Sequence, residues 1–526
     1  MSGEVANARS RTVGRSQNRT ASEYDNLPYP SLPVSSCHPS SLAASLSLFN
    51  VSPPRIVDGN VLELGCASGG NLIPLAAQFP NASFVGIDIS EVHVTAARAR
   101  IAQLGLKNIA IHQGDLTIVD LKKSVFDFIL CHGVFSWVPR QTQDAVFSLC
   151  NKHLSPEGAA VISFNVLPGW HLRRVIRDIC LLHAGTEGKP AERARRARQA
   201  IVDIASVARG SDLYSTLLRK EAQQLVQRPL GYIMGEFLAE TNLPCHFTEF
   251  YVRAKQSGLG YVCDADISAA LPDNLAPAMA ETIHKLARGN VGAMQQQIDL
   301  FTGRPFRSAI LVRDGRQPQA VQPIDPTKLR ALHFAGELSP DRRPEAKADP
   351  AFVDAGGRKV TPGDARSHAI LSRLAAAFPS TVNMSELMHG EQPSVEGEQA
   401  AFKTLLNLIF KGQAAAFATP LRVGRGEQAN LIAWSISRLD AAAAQPWITS
   451  QHHRAIRNFA VLSLLLPHMD GTRTREDLQA VLETAILNGS LKVPPRKNGT
   501  PERPVSASRE LNVAIGYAAR NGLLVA

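Results

Sequence analysis

The sequence predicts an α/β fold, a Rossmann-like parallel sheet elaborated by mainly helical regions, on three observations. Between Asn60 and Val166, short apolar runs alternate with helical stretches, as in repeated strand–helix–strand units. The run Val61-Leu62-Glu63-Leu64 passes into a glycine-rich turn, Gly65-Cys66-Ala67-Ser68-Gly69-Gly70, that opens a helix. After Gly169 the strand signals give way to helical ones. At 526 residues the chain exceeds a single hydrophobic core, so several domains are expected.

Met1 to Ala21 is rich in Ser, Arg and Asn without an apolar segment, and reads as a disordered tail rather than a secretory signal. Tyr24 to Pro54 is a Pro/Ser-rich lead-in containing a short helix, Ser41 to Phe49. Strands are expected over Val61–Leu64, Ser83–Ile87, Ile109–His112, Phe126–Cys131 and Ala159–Phe164, apolar runs bounded by turn formers. Helices are expected over Asn71–Phe79, Glu91–Leu104 and Gln141–Leu154. The last opens after Val138-Pro139 and ends before a turn, Ser155-Pro156-Glu157-Gly158. Trp170–Ala184 and Glu192–Arg209 read as helices, and helical signals dominate through Thr302. Val321 to Pro362 is rich in Pro, Asp and Gly and reads as a linker, with a mostly helical remainder. The implied division is a tail (1–22), a sheet domain with an N-terminal lid (23–185), a helical domain (186–320), a linker (321–363) and a last domain (364–526).

Composition narrows the classes. No apolar run is long enough to span a bilayer, and a charged share of 19% suits a soluble globular chain, so a cytoplasmic location without membrane insertion is expected. The seven cysteines form no Cys-x-x-Cys pair and are odd in number, which argues for reduced thiols and against a disulfide frame or zinc site. No metal is expected. The net charge of +10 raises the question of nucleic acid. The basic run Arg193-Ala194-Arg195-Arg196-Ala197-Arg198 has no interleaved aromatics to stack bases, so a solvated helix face is the simpler reading.

The spacing Glu63-x-Gly65-x-Ala67-x-Gly69 departs from the nicotinamide pattern G-x-G-x-x-G, where a helix N-terminus meets a pyrophosphate. An acid before the first glycine repels a pyrophosphate but suits a ligand carrying an ammonium and a sulfonium. The pattern resembles the class I S-adenosylmethionine (SAM) methyltransferases, which implies SAM as cofactor, held at the ends of successive strands. Gly65 and Gly69 let the backbone approach its methionine part, beside Cys66 and Ala67, and Glu63 meets its amino group. Ala67 stands where the family mostly has glycine. Alanine avoids left-handed dihedrals, so a slightly different turn is expected. Asn71 caps the helix or touches the cofactor, with capping preferred. Asp88, beside Ile89, is spaced to accept the ribose hydroxyls, and its other reading as a helix cap is already served by Ser90. Asp115 accepts the adenine amino hydrogen with Leu116 on the ring, or is a plain turn aspartate.

His132 and Gly133 open the loop after the fourth strand, which faces both cofactor and acceptor in such folds. His132 is more simply structural than a general base, because displacement at a sulfonium needs alignment more than proton abstraction. Tyr24, Tyr29, Trp137 and Trp170 are candidates on the acceptor side, where rings hold an ammonium, with lid or core packing as the alternative. Cys66 lacks an acid–base partner set and reads as a buried thiol.

A narrower resemblance rests on Tyr24-Asp25-x-x-Pro28-Tyr29, His38-Pro39, Leu62-Glu63-Leu64-Gly65-Cys66, Gly69-Gly70-Asn71-Leu72-Ile73-Pro74, Cys131-His132-Gly133-Val134-x-Ser136-Trp137-Val138-Pro139 and Phe164-Asn165-x-x-Pro168-Gly169-Trp170-His171. These look like a bacterial group with a class I catalytic domain followed by a methyltransferase regulatory domain. Tyr232 to Asp266, with Glu240-x-Asn242, Phe247-x-x-Phe250 and Gly260-Tyr261, resembles that domain, as does Phe301-x-x-Arg304-x-Phe306-Arg307. The end of the chain resembles the group's helical, winged-helix-like end. Its best-known members are similar to enzymes that methylate lysines of bacterial outer-membrane proteins, which implies a protein partner and a lysine acceptor. Gly235, in Tyr232-Ile233-Met234-Gly235-Glu236, departs from an expected His-Glu-Tyr-like run and puts a substrate role for that helix in doubt. The alternatives are a small-molecule or nucleic-acid methyltransferase and a non-catalytic SAM-binding module. A homodimer is compatible with the helical additions.

Overall fold

A computed structural model describes residues 27, 29–318, 324–341, 351–390, 392, 394–491 and 506–526. Tyr24, Asp25 and Pro28 lie outside the described residues. The core is one sheet whose strands are β1 (Asn60–Leu64), β2 (Ser83–Asp88), β3 (Ile109–Gln113), β4 (Phe126–Cys131), β5 (Leu154–Leu167), β6 (Cys245–His246), β7 (Leu259–Asp264) and β8 (Phe306–Arg313). Their order is β3-β2-β1-β4-β5-β8-β7, with β6 alongside the end of β5. The first five run parallel; β8 is antiparallel to both β5 and β7. The order reverses between β1 and β4, and such a switch point opens a crevice at the carboxyl ends of the strands.

Side chains alternate along the parallel strands, so two apolar layers form. Val61, Phe84, Ile111, Phe128 and Leu130 pack on one face. Leu62, Leu64, Ile87, Ile129 and Cys131 pack on the other. Helix Glu91–Leu104 starts where the Ser90 hydroxyl accepts the His93 amide at 3.1 Å, and it stops at Gly105.

The structure corrects the expected layout in three places. Ser155 to Gly158 form no turn ahead of the fifth strand but belong to β5. The pairing runs Phe126↔Leu154 and then Phe128↔Ala159, so these residues make a bulge, held by Ser155 Oγ donating to Asp127 at 3.0 Å. The segment around Gly258-Leu259-Gly260 does not merely interrupt helices, because β7 and β8 complete the central sheet. The helical region and the sheet are therefore one body. Finally, the expected linker holds short strands: His333–Ala335 pairs with Val382–Asn383 and Ala415–Phe417, and Leu338–Pro340 with Phe352–Asp354.

The quoted regulatory-region motifs are structural in this fold. Phe250 stacks on Phe164 of β5 with ring centroids 4.0 Å apart. The fully buried Arg307 bonds Asp264 at 2.7 Å, reaches Asp299 at 2.9 Å and lies over Phe247. Arg304 joins both acids, so two guanidiniums neutralise two carboxylates inside the fold.

The C-terminal part docks on the sheet domain. Trp434 and Ile436 enter the same apolar layer as Val61 and Phe84, and Arg100 bonds Asp440 at 2.7 Å. Among the described residues no helix is long and apolar enough to cross a membrane.

Candidate functional site

The glycine turn sits at the carboxyl end of β1, against the switch point. Gly65 has φ +75°, and a Cβ there would stand 2.4 Å from Val134 Cγ2, so only glycine fits. Gly69 is also left-handed, at φ +74°. Ala67 takes φ +46°, the conformation glycine would have. The expectation of a different turn is therefore wrong: alanine adopts the glycine geometry at a cost of roughly 1–2 kcal/mol. Its amide N–H donates to Asp88 Oδ2 at 2.7 Å, which holds the strained residue in place.

Glu63 is 3% exposed. Its Oε1 accepts from Asn71 Nδ2 at 2.8 Å, while Oε2 is buried with no partner. An unpartnered buried carboxylate oxygen is costly unless a donor arrives, and a ligand ammonium is such a donor. Burial pushes the carboxyl up to about 8; Asn71 pulls it down and Asp88 pushes it further up. Asn71 corrects a second expectation. Its side chain makes no cap; Oδ1 accepts the Val34 amide at 3.1 Å and faces His453 Nε2 at 2.6 Å.

Asp88 closes β2 with Oδ1 accepting the Ser90 amide and Oδ2 the Ala67 amide. A carboxylate has about four acceptor sites, so capacity remains for two hydroxyls. Ile89 beside it is half-buried. Asp115 is a turn aspartate through Oδ1, which accepts Thr117 N and Oγ1 at 2.8 Å each. Leu116 is half-buried against the second apolar layer. Cys66 is buried and its thiol is pushed well up, first by burial, so it stays protonated and inert. Gly133 has φ +71°, and its N–H donates to Ser163 Oγ at 2.8 Å. His132 packs edge-on to Phe306, its Nδ1 is buried without a partner, and burial lowers the ring to about 4. It is neutral near pH 7 and a weak base.

A lid crosses this turn. Ser31 Oγ accepts the Gly70 amide at 2.8 Å, and Val34 ties to Asn71. Two residues before Ser31, Tyr29 donates to Glu236 Oε1 at 3.2 Å and stands 6.1 Å from the Tyr232 ring. A Cβ on Gly235 would lie 2.6 Å from Tyr29 Cδ2. The glycine that departs from the expected run thus makes room for Tyr29, and the segment Leu230–Leu238 faces the lid. Burial raises the Glu236 carboxyl, with Arg173, Tyr29 and Arg228 opposing. Trp170 is buried against Trp137, and its indole N–H is taken by Asn242 Oδ1 at 2.9 Å. Trp170 therefore backs Trp137. Glu236 and His453 escaped the sequence reading. Glu236 lay within the quoted run but was discounted because of Gly235; His453 has no local signal.

The sheet has the Rossmann-type order, with a glycine turn at the switch point and the acids Glu63, Asp88 and Asp115 at or just past the carboxyl ends of β1 to β3. The chain belongs to the class I SAM-dependent methyltransferases. Family models match a methyltransferase domain at residues 61–158, a predicted methyltransferase regulatory domain at 230–313 and the "PKMT, C-terminal winged helix domain" at 432–523. An uncharacterized protein of Rickettsia prowazekii is 37% identical over 289 residues, which cover 55% of this chain and 52% of that one. A second from the same organism is 31% identical over 236 residues, covering 44% and 94%. The chain thus spans about half the length of the first relative and nearly all of the second. Among solved structures, PKMT2 from Rickettsia typhi in complex with AdoHcy has a TM-score of 0.83 at 24% identity, covering 95% of this chain and 100% of that one. That likeness extends over all three regions of the fold.

Proposed function

We propose that the protein transfers the methyl group of SAM to a side-chain amine of a protein, a lysine. Glu63 would hold the cofactor's ammonium, Asp88 its ribose hydroxyls, and Asp115 with Leu116 its adenine. Gly65, Ala67 and Gly69 would line the methionine part. SAM supplies a methyl already activated on a sulfonium, so the protein's task is to align the acceptor lone pair and take one proton from the ammonium.

The half-buried Glu236 carboxyl carries the acceptor assignment. It is bonded to Tyr29 and flanked by Tyr232, and the two residues from Tyr29 to Ser31 span at most about 7 Å of chain. An acid and two rings, which together suit an ammonium, thus gather two residues along the chain from Ser31, which bonds the turn that would hold the donor. Raised above its ordinary range, Glu236 is suited to accept the amine's proton. The PKMT naming of the winged-helix family model and of the Rickettsia typhi structure supports the same acceptor class. The test is transfer of labelled methyl from SAM into bacterial lysate. The expected label survives nuclease and is lost to protease; the reverse overturns the protein acceptor.

A further inference from the structure

We propose that His453, on a hairpin of the C-terminal domain, is a positioning residue of the cofactor site, acting through Asn71 on Glu63. The proposal rests on the cofactor reading above and gives the last domain a part in binding the methyl donor.

The hairpin pairs Trp447–Thr449 with Ala455–Arg457. Its tip is closed by Ser450 N–H donating to Arg454 O and His453 N–H donating to Ser450 O. His453 has φ +56°, a conformation few residues other than glycine adopt, and it turns the ring into the sheet domain, where it is 1% exposed. There Nε2 lies 2.6 Å from Asn71 Oδ1, across 382 positions of sequence.

The hydrogen-bond pattern assigns the proton. Asn71 Nδ2 donates to Glu63 Oε1, and Oδ1 already accepts from Val34 N, so the amide oxygen faces the imidazole. The ring must then carry its hydrogen on Nε2. Nδ1 is buried without a partner, consistent with a neutral ring. Burial and the adjacent His38 ring keep it so.

Asn71 therefore links the lid through Val34, the C-terminal hairpin through His453, and the acid Glu63. The hydrogen from His453 keeps the amide oxygen away from Glu63 and the amide hydrogens toward it. Without it the Val34 amide alone holds that orientation, so Asn71 presents its oxygen to Glu63 more readily, which favours the protonated carboxyl and weakens the hold on an ammonium. The hairpin does not need His453 to dock. Arg100 with Asp440, and Ser40 with Thr419, fasten the same domain elsewhere.

The experiment uses the full chain and calorimetric titration with SAM, alongside thermal unfolding of the free protein. His453→Phe keeps the ring volume without the donor, and His453→Asn is polar but too short to reach. Each is expected to weaken binding about tenfold, the effect of a lost buried donor. His453→Gln, whose amide nitrogen stands in for Nε2, is expected to restore it. The donorless variants also shift the pH at which binding improves upward, because Glu63 holds its proton longer. Asp88, the Cys37, Cys66 and Cys131 thiols and His38 and His452 face this cluster and are unchanged in every variant. A lowered unfolding midpoint with wild-type affinity and pH dependence would make His453 a docking residue alone and overturn the proposal. A wild-type chain that does not bind SAM would overturn the cofactor reading instead.

Discussion

Glu63 titrates where the ammonium proposed for it would change it. Burial holds the carboxyl near 8 in the free protein, so at pH 7 roughly nine-tenths of molecules carry the proton. An ammonium against Oε2 favours the carboxylate, and the complex gives that proton up. Binding SAM between pH 6 and 7 should therefore release close to one proton, about 0.9 at pH 7, and tighten nearly tenfold over that interval. The sign follows from the free protein holding a proton that the complex lacks: rising pH favours the complex until the carboxyl is ionised near 8. Calorimetry in buffers of different ionisation enthalpy counts the proton directly. Glu63→Gln keeps the shape and cannot ionise. It should abolish the release and weaken binding by about 2 kcal/mol, the worth of a hydrogen bond to a charged group. It should also stabilise the free protein. Unfolded Glu63 loses its proton near 4.5 and folded Glu63 keeps it to about 8, so burial costs stability increasingly across that window. Proton release that is absent in the wild type, or persists in Glu63→Gln, would refute the assignment.

Three further outcomes are expected. Gly235→Ala drives a Cβ into Tyr29, so methyl transfer should fall about tenfold or more while SAM affinity stays within about twofold, as acceptor misplacement requires; kinetics with both substrates varied would show it, and an unchanged rate would contradict it. Arg307→Met leaves Asp264 and Asp299 short of one buried partner, and should lower stability in urea by about 3 kcal/mol, whatever the effect on binding. Burial lowers His38 and His452 to about 4, against 6.5 unfolded, so each contributes stability that is present above 6.5 and lost as pH falls toward 4. His452→Gln should accordingly flatten the acid side of the melting-temperature profile by one proton.

The positions of Glu63, Asp88 and Asp115 were legible in sequence because each lies within one strand–turn unit. Glu63 with its glycines, Asp88 and Asp115 each end a strand whose apolar run is visible locally, and the parallel order follows from strands alternating with helices. Ala67 misled because its left-handed backbone depends on Asp88, 21 residues away. Asn71 misled because three partners from three segments outcompete its own helix amides. The strands β7 and β8 were hidden among helical signals, their pairing with each other and with β5 being long-range and antiparallel. Gly235 has no local rationale, because the ring that fills its space is that of Tyr29, some 200 residues earlier. His453 is a hairpin residue whose importance exists only where two domains meet.

The most direct measurement is peptide mass spectrometry of bacterial proteins treated with the enzyme and methyl-labelled SAM. Labelled methyl groups are expected on lysine Nζ, absent with Glu236→Gln and reduced with Glu63→Gln. Label confined to nucleotides, to small molecules or to other side chains would contradict the lysine acceptor.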